Sequence, residues 1–194
     1  MTKLIGLNKL KTAIFISGTG SNFKSLFKFS KLKKSPIEIV LVISSNSRAK
    51  GLILAKKYKI KKKIFKFGKQ KKEENDILNY LKKNKIDLIC LAGFMKILSK
   101  NFIKAFRGKI LNVHPSLLPK YKGLNTHIRA INNKEKFSGC TIHFVNSKLD
   151  SGKIILQKKI KINKKDTPKT LAYKILKQEH ILYPKAIMKL FTSL

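Results

Sequence analysis

The stretch Ala13-Ile14-Phe15-Ile16-Ser17-Gly18-Thr19-Gly20-Ser21-Asn22-Phe23-Lys24-Ser25-Leu26-Phe27 reads as strand, glycine-rich turn and helix. Its first four residues are apolar without alternation, as in a parallel strand covered on both faces. Phe23, Leu26 and Phe27 then recur at helical spacing. A strand that passes through glycines into a helix aims free backbone N–H groups at an anion. Gly18 and Gly20 let the backbone approach that anion closely. The turn lacks the third glycine of a dinucleotide fingerprint and the Gly-Lys-Ser/Thr of a P-loop. One terminal phosphate therefore suits it better than a dinucleotide, and a plain tight turn is the competing reading of the string alone.

Outward from this unit, strand-like and helical segments alternate. Ser35-Pro36 is a break, and residues 37–43 form a second continuous apolar run. Residues 48–58 read as a helix with Leu52 and Ala55 inward, and residues 61–67 as a short β stretch anchored by Ile64 and Phe65. Residues 71–85 show Ile77, Leu78 and Leu81 at helical spacing, with Glu73 and Glu74 suiting the positive end of the helix dipole. Residues 87–92 are the next buried strand, ending in the loop 93–98. This alternation predicts a right-handed, mostly parallel α/β sheet of Rossmann type in three layers. Farther on, residues 139–145 and 153–160 read as strands that pair antiparallel at one edge, with Thr141, His143 and Val145 on one face. Thr167 and Pro168 mark the start of a last helix whose inner face is Leu171, Ile175, Leu182 and Ile187. The expected organisation is a single domain over residues 1–194, with a phosphate-binding half at about 12–92 and a catalytic half at about 93–191.

The charge is extreme. Lys and Arg number 45 against nine Asp and Glu, a formal net charge of +36. Such an excess raises nucleic-acid binding as a function. The lysines, however, are spread along the whole chain, and arginine occurs only as Arg48, Arg107 and Arg129. Drift in residue usage fits this better than a dedicated patch, and attraction of small anions is the milder consequence. Cys90 and Cys140 lie in apolar runs without zinc-site spacing, as expected of core thiols in a reducing cytoplasm. No apolar run approaches the length that spans a bilayer, so a membrane association is not expected. The basic start, residues 1–11, leads into an apolar run too short for a signal peptide.

The chemistry is carried by Leu111-Asn112-Val113-His114-Pro115-Ser116-Leu117-Leu118-Pro119-Lys120-Tyr121. Asn112 and His114 are two apart, so on an extended segment both project from one face. Pro115 ends that segment, leaving an amide and an imidazole at a strand end, where α/β sheets bind ligands. Taken alone, an Asn-x-His reads first as a histidine that merely caps a turn. Glu179 is out of keeping in another way, because it stands within the apolar stripe of the last helix and needs a partner there. A lysine salt bridge is one candidate.

Together with Ala92-Gly93-Phe94-Met95-Lys96-Ile97-Leu98 and Gln178-Glu179-His180-Ile181-Leu182-Tyr183-Pro184, the eleven-residue string resembles the folate-dependent formyltransferases, above all the branch that acts on glycinamide ribonucleotide. The resemblance runs from about Ala13 to Phe191. It implies a Rossmann-like formyltransferase fold, 10-formyltetrahydrofolate as co-substrate, 5'-phosphoribosylglycinamide as acceptor, no metal, and a monomer or homodimer. It also implies site residues. Asn112, His114 and Asp150, the last in the Asp150-Ser151-Gly152 turn, are the catalytic trio. Gly20, Ser21 and Asn22 hold the phosphate, and Glu179 holds ribose hydroxyls. Met95, Lys96, Ile97, Leu98, Asn112, Asn146, Ser147, Lys148, Leu149 and Asp150 line the folate pocket. Apart from the resemblance, His143 reads as a supporting hydrogen-bonding residue, with a direct catalytic role as the alternative, and His127 and His180 as structural or peripheral.

Formyl transfer passes through a tetrahedral intermediate, so it needs a donor at the oxyanion and a group that manages the amine's proton. Asn112 can donate, His114 can donate or accept, and Asp150 can hold the imidazole or position a water. Four positions depart from the family pattern: Thr19 for asparagine, Lys96 for arginine, Asn125 for histidine and Lys153 for proline. Lys69-Gln70-Lys71 stands where relatives place a folate-contacting arginine. Two sister activities share the signature. Methionyl-tRNA formyltransferase is expected to need a tRNA-binding domain after Leu194, and formyltetrahydrofolate hydrolase a regulatory domain before the first strand. A basic nucleic-acid-binding module is the alternative from another class.

Overall fold

The computed structural model describes residues 9–65 and 70–191. The chain runs β1 (Leu10–Ile16), α1 (Ser21–Ser30), β2 (Ile37–Ser44), α2 (Gly51–Lys57), β3 (Lys61–Ile64), α3 (Gln70–Lys83), β4 (Leu88–Leu91), α4 (Lys100–Ala105), β5 (Lys109–His114), α5 (Thr126–Asn132), β6 (Phe137–Phe144), β7 (Ile154–Lys161) and α6 (Pro168–Phe191). All seven strands join one sheet in the order β3-β2-β1-β4-β5-β6-β7. The first five are parallel, and β6 and β7 add antiparallel at the edge, as the sequence led us to expect.

Alternation along each strand feeds two cores. Ile14, Ile16, Cys90, Leu111 and Val113 face α1, α2, α5 and α6. Ala13, Phe15, Ile89, Leu91 and Ile110 face α3 and α4. Strand order reverses at β1, whose neighbours are β2 on one side and β4 on the other. Such a switch point opens a crevice at the carboxyl ends of the strands. Here the residue after β1, Ser17, donates its N–H to the Gly93 carbonyl (3.1 Å), and its Oγ accepts from Met95 N (2.8 Å). The glycine turn and the loop after β4 are thereby tied together.

Several local expectations change. Ile64 does not anchor β3, because all four residues of that strand are exposed; Phe65 packs into the core instead. Residues 66–69 lie outside the described part, which covers Lys69 and the end of the expected 61–67 stretch, and the side chains of Gln70 and Lys71 are likewise not described. The basic residues 1–8 also lie outside it. Helix α2 begins at Gly51, after a turn in which Asn46 Oδ1 accepts from Arg48 N (2.9 Å). Helix α4 was not anticipated. It is capped by Ser99, whose Oγ accepts from Phe102 N (3.0 Å), and Glu74 of α3 accepts from Ser99 N (2.8 Å) and from the Ser99 hydroxyl. Glu74 thus serves a neighbouring helix start through its side chain. Among the described residues, no helix is long and apolar enough to cross a membrane.

Candidate active site

Strand β5 delivers Asn112 and His114 to one face, with Leu111 and Val113 buried on the other. The chain then turns through Pro115–Tyr121, and a buried threonine from β6 fixes that turn. Thr141 Oγ1 donates to the Ser116 carbonyl (2.6 Å) and accepts from Leu118 N (3.1 Å) and Gln157 Nε2 (2.9 Å). The register of β6 against β5 sets Thr141 opposite His114 and His143 opposite Asn112.

Asp150 arrives from the loop between β6 and β7, 36 positions after His114 in sequence. Its Oδ2 lies 3.3 Å from His114 Nδ1 and accepts from Gly123 N (2.8 Å). Its Oδ1 lies 3.5 Å from Asn112 Nδ2 and 3.6 Å from His143 Nε2. Asp150 itself adopts a left-handed conformation, φ 44°. The turn closes through Gly152, where a Cβ would stand 1.7 Å from the Phe144 carbonyl oxygen, so only glycine fits. The three side chains expected to act together are together.

The proton positions follow from the partners. His143 Nδ1 faces the Phe144 carbonyl (2.8 Å), which can only accept, so this nitrogen carries the hydrogen. Burial lowers the His143 pKa, favouring the neutral ring, although the Phe144 carbonyl and the Asp150 charge oppose it. Its Nε2 is then a lone pair that accepts from Asn112 Nδ2 (3.2 Å). That contact and Asp150 together hold the Asn112 amide with its N–H2 toward the carboxylate. His114 Nε2 faces the Tyr121 carbonyl (2.8 Å) and must donate to it, which leaves Nδ1 toward Asp150.

These groups line a cleft of about 640 Å³. Met95, Lys96, Ile97 and Leu98 form one wall, and Asn146, Ser147, Lys148, Leu149 and Asp150 another. The residues singled out on both loops therefore meet across one space. His127 also lines it, where the sequence suggested a peripheral residue. Its Nδ1 is buried without a partner among the described residues, and burial lowers its pKa, with the nearby His114 charge adding to the effect. Its spacing from His114 alone gave no sign of this. His180 lies away from the cleft on α6, as expected of a peripheral residue.

Gly20, Ser21, Asn22 and Glu179 do not line this cleft; they form a separate cluster. Gly20 is left-handed (φ 76°) at the start of α1 and packs against Gly51, where a Cβ on Gly20 would meet backbone at 2.7 Å. The first-turn N–H groups of α1 have no capping side chain. Glu179 finds an amide as its partner, Asn22 Nδ2 donating to Oε2 over 2.7 Å. Burial raises the Glu179 pKa, and the Asn22 hydrogen bond offsets this in part. Burial also pushes the Cys90 and Cys140 thiols up to about 12, which keeps both protonated and unreactive. No group of three or more metal-ligating side chains occurs among the described residues.

Residues 10–187 match the family model described as formyl transferase. Phosphoribosylglycinamide formyltransferase of Haemophilus influenzae is 41% identical over 186 residues, covering 94% of this chain and 87% of that protein. The trifunctional purine biosynthetic protein adenosine-3 of Gallus gallus is 39% identical over 186 residues; the chain spans only 18% of its length. Phosphoribosylglycinamide formyltransferase from Brucella melitensis superposes with a TM-score of 0.89 at 42% identity, over 94% of this chain and 96% of that one.

Proposed function

The chain belongs to the formyl transferase family, and from that premise we propose that it transfers the formyl group of 10-formyltetrahydrofolate to the amine of 5'-phosphoribosylglycinamide in purine synthesis. The observation that carries this reading is the convergence of Asn112, His114 and Asp150 on the lining of the 640 Å³ cleft. The cleft suits the donor. Met95, Ile97, Leu124 and Leu149 are all more than half exposed around it, an unusual apolar lining that a flat heteroaromatic ring would cover. When bound, the folate supplies an activated formyl carbon.

In this reading the phosphate of the acceptor lies against the uncapped N-terminus of α1 at Gly20, Ser21 and Asn22. Its ribose hydroxyls bind Glu179, and its amine points to the cleft. Asn112 Nδ2 donates toward the carbonyl oxygen as it becomes negative, and His114 Nδ1 does the same once it has taken up a proton. Asp150, 3.3 Å from His114 Nδ1, orients the ring and holds the water that passes the amine's proton to the departing nitrogen. Nothing in these steps calls for a metal ion. The two protonated, buried thiols suit a reducing cytoplasm.

The direct test is to incubate the protein with both substrates and follow tetrahydrofolate release and the formylated nucleotide by mass. Turnover is expected, and a preparation that forms neither product refutes the assignment. Asn112→Ala and His114→Ala should each lower kcat by roughly 10²–10³-fold while KM changes little, since the donors act on charge that develops in the transition state.

A further inference from the structure

Tyr121 is a non-glycine residue in the left-handed region, φ 57°, and that turn aims its carbonyl oxygen at His114 Nε2, 2.8 Å away. An aromatic residue adopts this conformation rarely, so surrounding contacts must hold it. They are all present, and they come from α5 and the turn after it. The Tyr121 hydroxyl donates to Glu135 Oε1 (2.8 Å) and accepts from Asn133 Nδ2 (3.0 Å). The Arg129 guanidinium lies 5.1 Å above the ring, and its Nη1 donates to the next carbonyl, that of Lys122 (2.6 Å). The preceding residue is tied as well, Lys120 Nζ lying 2.9 Å from the same Glu135 oxygen. Three consecutive residues are thus fixed to one helix end.

The consequence falls on the imidazole. A carbonyl oxygen only accepts, so the neutral ring keeps its hydrogen on Nε2 and leaves Nδ1 as the nitrogen that exchanges a proton. We propose that Tyr121 is a positioning residue whose backbone, locked by Glu135, Asn133 and Arg129, fixes the tautomer and ring plane of His114 and so reserves Nδ1 for the reaction. The other groups facing the ring are Asp150 of the β6–β7 loop, His143 of β6 and His127 of α5. None of these contacts Nε2; Asp150 Oδ2 is the acceptor at Nδ1, 3.3 Å away, and the Tyr121 carbonyl, nearer at 2.8 Å, is the acceptor at Nε2 among the described residues.

The kinetic part of this inference rests on the formyl-transfer reading, whereas the tautomer is measurable without any reaction. In protein labelled with 15N-histidine, at a pH where the His114 ring is neutral, the wild type should show Nε2–H. Tyr121→Phe removes the hydroxyl contacts and should give a mixed tautomer signal. It should lower kcat about tenfold with both KM values within about twofold, as loss of orientation predicts. Glu135→Gln keeps an acceptor for the hydroxyl and should retain the wild-type signal and rate, whereas Glu135→Ala should behave like Tyr121→Phe. A pure Nε2–H signal and unchanged kcat in both Tyr121→Phe and Glu135→Ala would overturn the proposal. So would Nδ1–H in the wild type.

Discussion

Glu179→Gln should make the protein more stable while it spoils the proposed nucleotide site. Glu179 is 6% exposed in the middle of α6, and its partner is an amide donor at 2.7 Å, with no cation in contact among the described residues. Burial holds its pKa above the ordinary 4.5. A glutamate raised in this way binds its proton more tightly folded than unfolded. Stability therefore falls as pH rises from about 4.5 through the raised value, and the deficit persists at neutral pH. Glutamine keeps the shape. Its Oε1 can accept from Asn22 Nδ2, and its Nε2 adds a donor on the same side chain that faces Asn22, whose Oδ1 is buried without a partner among the described residues. Relief of the charge plus that hydrogen bond is worth about 1–3 kcal/mol. At about 2–4 °C per kcal/mol for a chain of this length, Tm should rise by roughly 2–12 °C at pH 7.5. Loss of a charged acceptor for ribose hydroxyls should cost about 1.5–3 kcal/mol, or roughly 10–100-fold in KM for the nucleotide, with the folate KM unchanged. Thermal unfolding of both proteins between about pH 4.5 and 8, with steady-state kinetics, reads both effects; the Tm gap should widen with pH. A variant that melts at or below the wild type at pH 7.5, or a gap indifferent to pH, would refute the reasoning.

The net charge of +36 predicts self-repulsion that salt screens, so Tm should climb between about 20 and 300 mM NaCl, and a flat response would count against it. Gly152→Ala forces a Cβ into the Phe144 carbonyl and shifts the Asp150 turn; kcat should fall by about 10²-fold in protein that still folds, as measured in the same formyl-transfer assay.

What could be read from the sequence followed how local its cause was. The buried strands were legible because both-face burial leaves uninterrupted apolar runs, and the start of α6 because Thr167 accepts from Thr170 N (3.2 Å) within the segment itself. Ile64 misled because apolar character in a four-residue edge strand says nothing about which side is covered. The partner of Glu179 was illegible for another reason: Asn22 is 157 positions away, and in a chain full of lysine the expected mate was a cation. Tyr121, His127 and Ser17 act through backbone geometry or placement at the cleft, which no motif of residue types encodes. One overlooked signal was scarcity. The chain has nine carboxylates, and Glu74, Glu135, Asp150, Asp166 and Glu179 each fix a turn, a helix start or the site. Against so large a lysine excess, an acidic residue is itself a pointer to a specific job.

Glu179 and Tyr183 stand about one turn apart on α6, and each reaches a different part of the site. Glu179 holds Asn22 at the start of α1. The Tyr183 hydroxyl lies 3.0 Å from the Leu111 carbonyl and 3.2 Å from the Leu91 carbonyl, so its single proton is shared between β5 and β4. Leu111 immediately precedes Asn112, and Leu91 leads into the loop that walls the cleft. One continuous helix of 24 residues therefore sets the separation between the proposed nucleotide cluster and the strand that carries Asn112 and His114. When an amine on one substrate must meet a carbonyl carbon on another, that separation is what must not vary, because about 1 Å of misplacement can cost two orders of magnitude in rate. A surface loop would give a carboxylate cheap solvation but not a fixed distance. Placing Glu179 on the buried face of α6 reverses the balance: the fold bears a destabilising charge, and the site gains a ruler.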